Sequence, residues 1–159
     1  ISKRIEPALR AGELDLGVVT QDPDRPLGEV LRREPLVWVA ARGHRPELQE
    51  TLPLALFSEG CRARPRILAA LNSAGKAHRL VFSCSHTTGV LSAVEGGFCV
   101  SAITESAVPP SLRRLGAAEG LPPLFELSVG LIMAPRPGLA AQRFADALRE
   151  DMSAFRAAA

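Results

Sequence analysis

The sequence predicts an α/β fold. Short apolar runs rich in Val, Leu and Ile alternate with stretches of helical periodicity, and Gly, Pro or Asp clusters punctuate nearly every change. Strands alternating with helices at this spacing imply a mainly parallel sheet. With 159 residues, 47% of them apolar and 23% charged, the chain has the composition of a folded globular protein. That length accommodates one larger domain or two small lobes.

The opening "ISKRIEPALRAG" sets Ile1, Ile5, Ala8 and Leu9 at near-helical spacing, with Pro7 as a point of restriction and Gly12 as the stop. "ELDLGVVT" reads as a strand buried on both faces, and "DPDRPLG" as a turn or loop. "EPLVWVAAR" is the next strand, and "LPLALFS" follows after a loop from Gly43 to about Leu52. A helix then carries Ile67, Leu68 and Leu71 on one face and stops at Gly75; Pro65 fits only its first turn, which places the start near Arg62 to Arg64. "RLVFSCS" is a strand and "HTTGVLSAVEGG" a helix, with Ser85 or Thr87 expected at the N-cap. "FCVSAIT" is a further strand, and Glu105 to Phe125 a region of short turns. "ELSVGLIMA" is the last strand, and the closing helix is expected to bury Phe144, Leu148, Met152 and Phe155.

Several function classes fall away on composition. No apolar run approaches the roughly 20 residues of a membrane span. Of 19 basic residues only two are Lys, and the arginines are scattered, so there is no nucleic-acid stripe. Cys61, Cys84 and Cys99 are odd in number without CxxC spacing, which argues against a disulfide framework or a zinc site and for a reducing cytoplasm. The start "ISKRIEP" has neither Met nor a secretory signal and reads as an excised piece.

In order, "LRAGELDLGVVT", "EPLVWVAARGH", "LPLALFSEGCRAR", "AALNSAG", "SHTTGVLSAVEGGFCVSAI" and the closing strand and helix resemble the effector-binding domain of bacterial LysR-type transcriptional regulators, over essentially the whole chain. The nearest branch is LrhA-like, on "LPLALFSEGCRAR" followed by "AALNSAG". The resemblance implies a periplasmic-binding-protein-like type 2 fold: two Rossmann-like lobes joined by crossing strands, with a small-molecule effector in the cleft. It places residues 1–52 and 126–159 in lobe one and 53–125 in lobe two. The sequence departs from the family pattern in having no winged helix-turn-helix, no linker helix and no first strand, helix and strand of lobe one. Contact with DNA is therefore expected only through an N-terminal domain absent here. A homodimer or tetramer is implied for the intact protein, in which the outer face of the Val90, Leu91 and Val94 helix helps build a side-by-side dimer.

In open α/β sheets ligands sit beyond the carboxyl ends of strands, where helix N-termini favour an exposed anion by roughly 0.3 to 1 kcal/mol. "SEGCRAR", "SHTTG" and the pair Thr20 and Gln21 occupy such places. The candidate ligand-binding residues are Thr20, Gln21, Ser58, Gly60, Cys61, Arg62, Arg64, Ser85, His86 and Thr87. Hydroxyls, a glycine and two arginines suit a small polar or anionic metabolite, and the same residues also serve as helix caps and solvated charges in any α/β protein. Glu59 is expected to point away from an anion or pair with an arginine.

Cys61 is a nucleophile, a redox sensor or an inert loop residue on sequence grounds. A peroxide-sensing member of the family carries its cysteine in the corresponding loop, with a resolving cysteine in the next helix; "RARPRILAALNSAG" contains none. "SCSHTTG" lacks a GxSxG elbow, His44, His78 and His86 lack metal-ligand spacing, and Gly96 and Gly97 match no phosphate-loop motif. No catalytic residue, metal or cofactor is expected. The alternative functions are a stand-alone solute-binding protein of the same fold and a redox sensor using Cys61.

Overall fold

The computed structural model describes residues 2–21 and 26–157, with side chains over 4–21 and 26–152. Ile1, residues 22–25 of the stretch "DPDRPLG" expected as a turn or loop, and the Phe155 side chain lie outside the described residues. The chain forms two compact units, 1–34 with 126–159 and 35–125. The first division falls at 34/35 and not near 52. Its cause is a strand longer than "EPLVWVAAR" suggests: β2, Glu29–Ala41, runs through 13 residues, and its second half pairs entirely with strands of the second unit.

In the first unit, α1 (Ser2–Arg10) leads into β1 (Leu16–Gln21), which pairs antiparallel with β7 (Glu126–Met133) from Leu16↔Met133 to Gln21↔Ser128. β7 also pairs with β2. Strand β1 alternates in burial, with Val19 covered and Val18 40% exposed, instead of being buried on both faces. Among the described residues its pairing is with β7, so one side of the ribbon stays open. The last helix, α4 (Leu139–Ala157), packs Ala145 on Leu31 and Leu131, with Leu148 and Met152 beside them. Phe144 is 56% exposed, contrary to the expected apolar face; Ala145 takes the inward position and turns its neighbour out by about 100°.

In the second unit, β3 (Leu52–Phe57) and β4 (His78–Cys84) are parallel, with α2 (Ala63–Ser73) between them in the chain. Leu52 to Leu56 are all buried, as a central strand requires. Leu54 bridges in parallel to Val100, just ahead of β5 (Ser101–Thr104). β2 then pairs antiparallel with β5 on one side and with β6 (Leu112–Leu115) on the other. The pairing is therefore mixed and not mainly parallel: β5 and β6 both flank β2 in the reverse direction, and local periodicity carries no information on direction. β6 itself lies inside the region expected to contain only turns; its four residues are too few to show alternation.

Helix α3 (Thr87–Glu95) buries Val90 and Val94 against Val39, Ala55, Ile103 and Leu112. Cys99 lies in the same cluster, its Sγ 3.3 Å from the Ala93 carbonyl, and burial pushes its pKa up to about 11. A thiol-reactive dye at pH 8 is expected to label Cys61 and Cys84 in the native chain while Cys99 reacts only after unfolding. Labelling of Cys99 at their rate would mean that this core is open. Above pH 9 the unfolded thiol loses its proton before the native one, so stability falls between pH 9 and about 11.

Candidate functional site

The parallel register of β3 and β4 ends at Phe57↔Cys84, so the loops that follow the two strands leave the sheet side by side. The Ser58 amide donates to the Cys84 carbonyl at 3.0 Å, and the Cys61 amide closes a turn on the Ser58 carbonyl at 3.1 Å. The first bond ties the loop of Ser58, Gly60, Cys61 and Arg62, which leads to Arg64 in the first turn of α2, to the end of β4, from which Ser85, His86 and Thr87, the first residue of α3, follow. Ser58, Gly60, Cys61, Arg62 and Arg64 are half-buried, whereas Ser85, His86 and Thr87 are exposed. Glu59 is exposed too.

Two helices begin here, and neither has a side-chain cap. Arg62 precedes α2 and His86 precedes α3, each without a cap hydrogen bond from its side chain. Ser85 and Thr87 thus do not cap α3. The Cys84 thiol sits under its first turn and accepts the His86 N–H at 3.5 Å, and His86, one residue beyond Ser85, takes the N-cap position. The approach is close: a Cβ on Gly89 would lie 2.5 Å from the Cys84 Sγ. Gly89 was absent from the sequence-derived candidates, because nothing local signals that a strand end and a helix turn five residues on must touch.

Arg64 is a support of the site. Its Nη1 donates to the Phe57 carbonyl at 3.3 Å and to the Ser83 Oγ at 3.4 Å, tying the carboxyl end of β3 to β4. Ser83, also missed, is found only through this cross-strand bond.

Thr20 and Gln21 lie in the other unit, at the end of β1. Gln21 is fully buried, and its amide is engaged within that unit: Oε1 accepts the Leu27 N–H at 2.8 Å and Nε2 donates to the Gly28 carbonyl at 3.5 Å. Gly130 leaves the space for it, since a Cβ there would fall 2.4 Å from the amide carbon. Gln21 therefore ties the end of β1 to the Leu27 and Gly28 backbone ahead of β2, while Thr20 remains half-buried beside it.

A polar depression of about 510 Å³ lies at the opposite ends of β3 and β4, lined by Thr51, Asn72, Lys76 and His78. The capped C-terminus of α2 forms its wall: the Gly75 and Lys76 amides take the Asn72 and Leu71 carbonyls. Among the described residues no group of three or more His, Cys, Asp or Glu is placed to hold a metal ion, and no helix is long and apolar enough to cross a membrane. Cys61, Cys84 and Cys99 are free thiols.

The fold and the sequence both have relatives. The family model for the LysR substrate binding domain matches residues 1–153. The chain is 29% identical over 147 residues to the HTH-type transcriptional regulator DgdR of Burkholderia cepacia, covering 92% of this chain and 50% of that protein. It is 28% identical over 123 residues to the HTH-type transcriptional regulator PecT of Dickeya dadantii, covering 77% and 39%. It thus spans half the length or less of these curated relatives, which are regulators and not enzymes. Among solved structures, the bromide-bound regulatory domain of HypT from Salmonella typhimurium superimposes with a TM-score of 0.79 at 21% identity, over 96% of this chain and 79% of that one. The regulatory domain of CcmR from Synechocystis PCC6803, in complex with 2-PG, gives 0.69 at 18% identity over 95% and 79%. Two compact units with two chain crossings, mixed sheets and a family match over nearly every residue lead to one conclusion: the chain belongs to the LysR substrate-binding domain family.

Proposed function

We propose that this chain is the effector-sensing part of a LysR-type transcriptional regulator and takes a small polar or anionic metabolite at the β3–α2 and β4–α3 loops. The observation that carries the reading is the pair of adjacent helix starts without side-chain caps. The first-turn N–H groups of a helix have no intrahelical partner, and the helix dipole makes them favour negative charge. Ser58, Ser85 and Thr87 add hydroxyls and Arg62 a positive charge. Gly60 lets the first loop turn, and Arg64 and Cys84 hold the two loops in place. Bromide on HypT and 2-PG on CcmR are bound by domains of the same fold, in keeping with this chemistry.

In the intact, cytoplasmic regulator the ligand would act by binding one conformation better than another, and so change how an attached DNA-binding domain meets its operator. Self-association is proposed at β4, whose Leu80, Val81 and Phe82 are each about 40% exposed.

An amide-resolved NMR titration with bromide, inorganic phosphate and acetate tests the site. The amides of Cys61 to Arg64 and of Thr87 to Gly89 are expected to shift together along one saturating curve. Shifts scattered over exposed arginines, with these two loops unmoved, would sink the proposal.

A further inference from the structure

The chain passes between its two units twice, at 34/35 and at 125/126. Within the second unit the two passes are fastened to each other, because the Leu36 N–H donates to the Phe125 carbonyl at 3.2 Å. The Phe125 ring is in turn covered by the Arg66 guanidinium, whose Cζ lies 3.8 Å from the ring centroid. Arg66 stands in the first half of α2, directly after the Ser58–Arg62 loop, and Ile67 and Leu71 anchor that helix in the core.

We infer that the Arg66–Phe125 stack is a latch through which α2, and with it the β3–α2 loop, controls the strand crossings. A packed helix moves as a body, so a change at its first turn displaces Arg66 along with it. A cation over an aromatic face is held directionally and more strongly as water is excluded, and Arg66 and Phe125 are both half-buried. Displacing the guanidinium loosens Phe125, and the Leu36 bond is the next link. The regulatory meaning of the latch rests on the effector reading above, whereas its mechanical role stands apart from any ligand.

The test is amide hydrogen exchange on the 159-residue chain as wild type, Arg66→Met and Phe125→Leu, with urea unfolding alongside. Met retains an apolar stem without the charge, and Leu retains bulk without the aromatic face. In both variants the Leu36 amide is expected to exchange roughly fivefold to thirtyfold faster, the range corresponding to such a contact, while α2, α3 and β3 keep their protection. Unchanged Leu36 exchange overturns the latch, and so does uniform loss of protection across the second unit, which marks general destabilisation.

A loop change then tests the coupling. Gly60 has φ +96° with open space around its Cα, so Gly60→Ala strains the loop without a clash. It is expected to speed Leu36 exchange in the wild-type background and to leave it unmoved beside Arg66→Met. Equal transmission in both backgrounds overturns the coupling. Absence of anion binding in the titration above would remove the effector reading and leave these exchange results standing.

Discussion

Replacing Arg113 by Met is expected to destabilise the second unit by about 3–5 kcal/mol, the cost of leaving one member of a buried ion pair alone. Arg113 lies on β6 and reaches across to the 3-10 turn Pro46–Leu48, where the Glu47 side chain is fully buried. Its Nη2 donates to the Glu47 Oε1 at 2.6 Å and to the His44 carbonyl at 2.8 Å. Arg45 is the other nearby cation, at 3.9 Å and 66% exposed, too solvated to replace it. Glu47 Oε2 already has no hydrogen-bond partner, so removing Arg113 strips the carboxylate of its main compensation. Adding Glu47→Leu to Arg113→Met is expected to recover most of the loss, since an apolar pair of similar bulk needs no compensation. Urea unfolding of the wild type and the two variants decides the matter: a single-variant loss below about 1 kcal/mol would show that the pair fastens nothing.

Gly89→Ala is expected to cost about 1–3 kcal/mol through overpacking at the α3 start. The new methyl would lie 2.5 Å from the Cys84 Sγ and 3.2 Å from its Cβ; the Sγ yields only by turning about χ1 away from the His86 N–H, and the Cβ is fixed to β4. Cys84→Ala removes the nearer atom, so the double variant is expected to regain most of the stability. Because the same contact sets the first turn of α3, Gly89→Ala is also expected to weaken any anion response at Thr87 and His86 more than at Cys61. A fully stable Gly89→Ala variant, or one that Cys84→Ala fails to rescue, would show that the thiol does not seat the helix.

Elements long enough for their periodicity to accumulate were legible in the sequence. Helix α2 starts at Ala63, where Pro65 required a first turn, and "LPLALF" is the strand its apolar run indicated. The loops after β3 and β4 were likewise legible as candidates, because Gly, Ser and Thr at a strand-to-helix change mark a helix start whatever the rest of the chain does. The order of six motifs was enough for the family resemblance, since each motif is a local pattern with its own spacing.

What the sequence by itself determined was therefore local: which stretches are strands or helices, and which residues flank their ends. Only the tertiary structure decided how those ends are used. Strand direction around β2, and the division at 34/35 within it, come from hydrogen bonds to residues more than 60 positions away. Arg64 bonding to Ser83, Gln21 bracing Gly28, Cys84 under Gly89 and Arg113 on Glu47 are likewise contacts between separate elements. A polar residue's chemistry is written in its side chain, but its role depends on which partner arrives within hydrogen-bond reach. Partners are set by packing, which no local pattern encodes.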